Sequence, residues 1–120
     1  MMSLNNFLWV FLGGGLGSVI RFVFSMWVSK SAQDSIPYST LMANIAACIL
    51  MAIAMRFISP ISESTRLFLF VGFCGGLSTF STFSMETVSM IKYGQFAWAI
   101  GNILLNVCFC FGILFFTIRK

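Results

Sequence analysis

The sequence predicts an all-α integral membrane protein of four transmembrane helices, the third of them broken in mid-membrane. Three observations carry this prediction. Of the 120 residues, 59% are hydrophobic and only 8% charged, with a mean hydropathy of +0.98, far from the composition of soluble domains. The apolar residues gather into four stretches, at about 5–29, 38–58, 66–91 and 95–118. Each is near or above the ~20 residues that cross ~30 Å of hydrocarbon at 1.5 Å per residue. The third stretch is interrupted by Gly72 to Phe83, GFCGGLSTFSTF, where two adjacent glycines and four hydroxyl side chains stand among apolar neighbours. The connections are short, so residues 1–120 read as a single four-span membrane domain with no room for a soluble one.

The first span is expected to be retained, because Met1 to Asn6 carries no basic side chain and leads into a run longer than a signal peptide's ~7–15-residue apolar core. Gly13 and Gly17 have the small-xxx-small spacing that lets helix backbones approach closely. The glycine run follows no strand and opens no βα unit, which excludes a nucleotide loop. Arg21 lies deep in this span, where a charge costs from ~2.5 kcal/mol upward unless it snorkels or meets a partner. It either stabilises the fold or places a cation at a vestibule that concentrates anions.

In the second span Thr40, Asn44 and Cys48 repeat every four residues and share one helical face. Asn44 either bonds helix to helix or presents an amide N–H₂ as a donor to an anion. The third span must free backbone polar groups at its glycines, which hydrocarbon tolerates only where protein or an aqueous path covers them. Beyond the glycines Phe80 and Phe83 are neighbours on one face, among Ser78, Thr79, Ser81 and Thr82. Phenyl rings have positive edges, so rings turned edge-on attract a small anion. Glu86 is the remaining charge within this span. The fourth span repeats the polar spacing, with Asn102, Asn106 and Cys110 at i, i+4 and i+8 drawing a line down an otherwise Phe/Leu/Ile-rich helix.

The net charge of +4 comes from scattered residues that mostly cap the spans, so no basic stripe exists to follow nucleic acid. Arg56, Arg66, Arg119 and Lys120 fall on one side against Lys30 and Lys92 on the other, a weak preference for cytoplasmic termini. So small an asymmetry is compatible with insertion in both orientations, and two inverted copies can then pair about an axis in the membrane plane. The cysteines Cys48, Cys74, Cys108 and Cys110 all lie within spans, where a secreted disulfide framework would not place them. With no histidine and three acidic residues, general acid/base catalysis lacks material and the chain does not read as an enzyme.

On GGGLGSVIRF in the first span, TLMAN in the second, GFCGGLSTFSTFSME in the third and the asparagine-spaced fourth span, the whole chain resembles the Fluc/CrcB fluoride channels of bacteria. The resemblance implies an antiparallel, dual-topology homodimer in the cell inner membrane, with two fluoride pathways that passively export F⁻ and so reduce its toxicity. It implies a structural Na⁺, not transported, held by the backbone carbonyls of Gly75 and Ser78 where the two third-span breaks cross. It places Asn44, Phe80, Phe83, Ser81, Asn102, Asn106 and Cys110 along the fluoride pathway. Arg21 and Glu86 match the family's charged positions, as vestibule or structural groups. Ser78 stands where threonine is usual, and Cys110 where a hydroxyl is usual. Amides and hydroxyls suit fluoride, whose dehydration would cost tens of kcal/mol by a Born estimate unless donors replace the lost shell.

The main competitor is a small dual-topology multidrug transporter, similar in size and span count. Such a protein needs a titratable carboxylate, usually a first-span glutamate, where this chain has Arg21. A structural or assembly subunit, whose polar residues only bond helices together, is the third reading.

Overall fold

The computed structural model describes residues 2–31 and 38–119. Residues 32–37 of the first connection and Lys120 lie outside the described residues, as does the side chain of Lys30. The first span is α1 (Leu4–Ser31) and the second α2 (Tyr38–Phe57). The third is composite: a short α3 (Glu63–Arg66), a π-helical segment (Leu67–Cys74), α4 (Gly75–Leu77) and α5 (Phe80–Lys92). The fourth is α6 (Phe96–Ile118). Four segments, Leu4–Val28, Tyr38–Phe57, Glu63–Lys92 and Phe96–Ile118, are long and apolar enough to cross a membrane.

Local chemistry sets the boundaries. Pro60, three residues beyond α2, cannot continue a helix. Ser62 then caps α3, its Oγ accepting from the Thr65 N–H at 3.2 Å. Between α5 and α6 the chain turns on Gly94 at φ +74°, in the left-handed region. The Gln95 N–H donates to the Met90 carbonyl at 2.8 Å and the Gly94 N–H to that of Ile91 at 3.1 Å. These are the paired bonds of a Schellman closure, which only a residue without Cβ makes at no steric cost.

Glycines also fix how α1 meets the third span. A Cβ on Gly13 would collide with the Phe68 carbonyl oxygen, and one on Gly17 with that of Phe73. From the other side, a Cβ on Gly72 would lie 2.9 Å from the Gly13 Cα, and one on Gly76 would meet the Gly14 carbonyl oxygen. The two backbones touch along this seam, with the contact that small-xxx-small spacing permits. Beside it a small-residue core of Ala43, Ala47, Cys74 and Leu77 is flanked by Phe24, Leu50, Met51 and Phe73. Most large apolar side chains, among them Phe11, Phe22, Phe111 and Phe116, point outward, as helices solvated by lipid require.

The third span is broken, but not at its glycines. Gly75 is helical, at φ −63°, ψ −36°. The extended residues are Ser78 (φ −81°, ψ 154°) and Thr79 (φ −150°, ψ 127°). The physical reason is hydrogen bonding, not flexibility. Gly72 and Gly76 are committed to close contact with α1, whereas Thr79 carries a hydroxyl that replaces a lost backbone bond and Ser78 one that adds to the bond its own N–H already makes to the Cys74 carbonyl at 2.9 Å. Ser78 Oγ donates to the Cys74 carbonyl at 2.7 Å, and Thr79 Oγ1 caps α5 by accepting from the Thr82 N–H at 3.2 Å.

Candidate functional site: a polar line from the helix break

Asn44 on α2 completes the capping of the break. Its Oδ1 accepts from the Thr79 N–H at 2.8 Å, and its Nδ2 reaches the Thr79 carbonyl at 3.4 Å. A backbone N–H can only donate, so the Asn44 amide has one possible orientation. That orientation propagates. Asn44 Nδ2 donates to Asn106 Oδ1 at 2.9 Å. Asn106 Nδ2 in turn donates to the carbonyl and Oδ1 of Asn102, at 2.9 and 3.1 Å. Asn102 Nδ2 donates to Thr87 Oγ1 at 3.0 Å, and Thr87 Oγ1 to the Phe83 carbonyl at 2.8 Å. The three amides and Thr87 are buried. They form one directed chain, running from the break across to α6 and back to α5.

Phe80 and Phe83 follow the break on α5, with ring centroids 5.6 Å apart and planes inclined by 48°. Phe83 is buried, but Phe80 is 79% exposed on a single chain. Ser81 is exposed, its Oγ 3.3 Å from Thr79 Oγ1. The break thus opens onto an outer surface of the protomer. Cys110, four residues beyond Asn106, is half-buried.

At Gly75 and Ser78 the consequence is for the carbonyls. In an unbroken helix the Thr79 N–H would bond to the Gly75 carbonyl and the Thr82 N–H to that of Ser78. Here the first donates to Asn44 and the second to Thr79 Oγ1. Both carbonyls are released from helical pairing.

A second polar cluster lies on the α1 side. Arg21 Nε donates to the Gly76 carbonyl at 3.0 Å, fastening the charge to the third span just before the break. Thr40 Oγ1 donates to Glu86 Oε1 at 2.7 Å, while the buried Glu86 Oε2 has no hydrogen-bond partner among the described residues. Arg21 and Glu86 line the same cavity of about 300 Å³, together with Ser18, Ser25, Thr40 and Thr82. The sequence-predicted residues therefore form two groups: the asparagine line, and an Arg21–Glu86 cavity beside it. Thr79, Thr40 and Thr87 were missed as site residues. Their signals were present: Thr79 stands three before Thr82 in capping spacing, and Thr40 and Thr87 occupy faces already marked as polar.

Residues 8–118 match the family described as CrcB-like protein, Camphor Resistance (CrcB). The chain belongs to the CrcB-like family. This CrcB-like chain is 42% identical over 106 residues to "Fluoride-specific ion channel FluC 1" of Yersinia pestis, covering 86% of this chain and 83% of that protein. It is 43% identical over 110 residues to "Fluoride-specific ion channel FluC" of Clostridium perfringens, covering 89% and 86%. The protein of the same name from Shewanella woodyi is 38% identical over 109 residues, covering 89% and 88%. Four apolar helices and this family place the CrcB-like chain among multi-pass membrane proteins.

Proposed function

We propose that the protein is a fluoride channel of the cell inner membrane that lets accumulated F⁻ leave the cytoplasm passively, with no chemical step. The carrying observation is the directed amide line that starts at the helix break. Its polar hydrogens would supply what dehydrated fluoride needs, and its longest contact is where ion entry would disturb the line least. The Asn44 Nδ2 contact to the Thr79 carbonyl is 3.4 Å long, beyond the usual N–H···O range. A fluoride ion accepting a hydrogen bond from that N–H in place of the carbonyl sacrifices little. Phe80 and Phe83, which follow the break, would offer positive ring edges to the ion without adding a basic group that would hold it too tightly. Ser81, Asn102, Asn106 and Cys110 extend the path.

The same reading includes a second, inverted copy. Extended backbone at membrane depth does not face lipid, and on one protomer Gly75, Phe80 and Ser81 around the break are exposed. An antiparallel partner crossing there would cover them. The freed carbonyls of Gly75 and Ser78 are hard oxygen donors suited to Na⁺. Two oxygens are too few for one cation's shell, and the same pair from a partner would double them. The ion would fasten the dimer without moving through it. Arg21, fixed to Gly76, would draw anions toward the cavity it shares with Glu86.

Purified protein reconstituted in liposomes, followed with a fluoride electrode, tests the function. Fluoride is expected to drain from loaded vesicles once a cation ionophore relieves the charge, while a chloride gradient stands. Equal loss of chloride, or cation uptake driven by a pH gradient, would overturn the reading, the latter in favour of a small multidrug transporter.

A further inference from the structure

Cys48 on α2 and Cys110 on α6 are half-buried free thiols at the same level of two adjacent helices. Their shared level follows from helix register. As second and fourth of consecutive spans, α2 and α6 run in the same direction, and Asn44 meets Asn106 at 2.9 Å. One turn further on, at i+4 on both helices, stand Cys48 and Cys110. The dithiol is the next rung after the amide pair, and it lies where the proposed fluoride track continues.

We propose that this dithiol is a two-coordinate site for a divalent thiophilic cation, and that its occupation closes the track; the closing step rests on the fluoride-channel reading, the binding step does not. The donor set selects the ligand class. Among the described residues no group of three or more His, Cys, Asp or Glu side chains is placed to hold a metal. Tetrahedral zinc, which needs four ligands or three and water, is therefore not served. Two soft sulfurs at the same level of adjacent helices suit a d¹⁰ cation that prefers linear coordination. Charge decides between monovalent and divalent ions. A monovalent ion bridging two thiolates leaves a net negative complex in low-dielectric surroundings, whereas a mercuric ion with two thiolates is neutral and avoids that desolvation cost. Mercuric chloride is itself neutral and enters apolar surroundings. Two S–H bonds break and two S–Hg bonds form; two protons leave with the two chlorides, and no electron is transferred. A groove of about 420 Å³ lined by Ile49, Ala52, Arg56, Ile113 and Thr117 continues along the same two helices toward the α2 C-terminus.

The test uses the full-length protein in liposomes with mercuric chloride as the probe. After equimolar mercury, free thiols are alkylated and mapped by mass spectrometry. Cys48 and Cys110 are expected to be protected together while Cys108, exposed on the outer face of α6, is labelled. Protection of Cys74 or Cys108 instead, or of neither member of the pair, would overturn the site. Fluoride efflux is expected to stop at the same stoichiometry and to recover with a small dithiol chelator. In Cys48→Ser, flux normalised to that variant's own rate is expected to become insensitive to equimolar mercury. Protection of the pair with undiminished flux would overturn the closing step. If untreated protein passes no fluoride, the channel reading falls, and the thiol map still decides the site.

Discussion

Asn44 is the residue on which the broken segment rests. Its side chain takes the N–H of Thr79 and reaches the carbonyl of the same residue, so it substitutes for helical bonds that the break removes. Asn44→Ala leaves a buried N–H unpaired, at a cost of ~1–3 kcal/mol. It also removes the first donor of the line. We expect fluoride flux to be nearly abolished, with a modest fall in the midpoint of thermal unfolding in detergent; undiminished flux would remove Asn44 from the path. Thr79→Ala separates capping from donation, since it removes the hydroxyl that accepts from the Thr82 N–H but leaves the Asn44 contacts to backbone. Loss of that cap is expected to cost ~1 kcal/mol of stability, with flux reduced less than in Asn44→Ala. The polar side chains of this site were legible in the sequence because spacing of four repeats on both α2 and α6. Their partners were not. Nothing in TLMAN says that Asn44 bonds a backbone amide thirty-five residues away.

Among the elements, α1 and the π-helical segment share the tightest seam in the protomer. Gly17 faces the Phe73 carbonyl and, at 2.8 Å from an added Cβ, the Leu77 nitrogen; both are backbone atoms that cannot swing aside. Gly17→Ala must push the helices apart, and overpacking of this kind costs ~1–3 kcal/mol. A fall in thermal stability greater than that of Gly15→Ala, where an added Cβ meets nothing within 4 Å, is the expected outcome. Four spans were readable from apolar length alone, and the Gly13/Gly17 seam from its spacing. The break lies two to three residues beyond the glycines at which the sequence predicts it, because glycine marks conformational freedom in a sequence whereas capping bonds depend on a partner helix. Gly75 and Gly76 are helical, and the chain opens at Ser78 and Thr79, where the Thr79 hydroxyl and Asn44 supply substitute bonds. The π winding of Leu67–Cys74 had no signal in a run of apolar residues. Unbroken hydrophobicity specifies burial in a bilayer but not the hydrogen-bond pattern within it.

For the whole molecule the prediction concerns orientation and assembly. Arg56, Arg66 and Arg119 are exposed at one end and Lys92 at the other, a difference too small to fix topology strongly. If two inverted copies form the conducting unit, adding lysines to one end should bias insertion to one orientation and lower flux. Co-expression with a copy biased the opposite way should restore it, and full flux from one biased copy alone would exclude the antiparallel pair. If Na⁺ sits between the carbonyls released at Gly75 and Ser78 as proposed, replacing it on both sides with a large organic cation is expected to reduce flux as well. The central claim is that the amide line at the break admits fluoride and refuses chloride. Its most direct measurement is the reversal potential of reconstituted protein in a planar bilayer with fluoride on one side and chloride on the other. The potential is expected to follow the fluoride gradient and ignore changes in chloride; a potential that moves with chloride would rule out selectivity at the amide line.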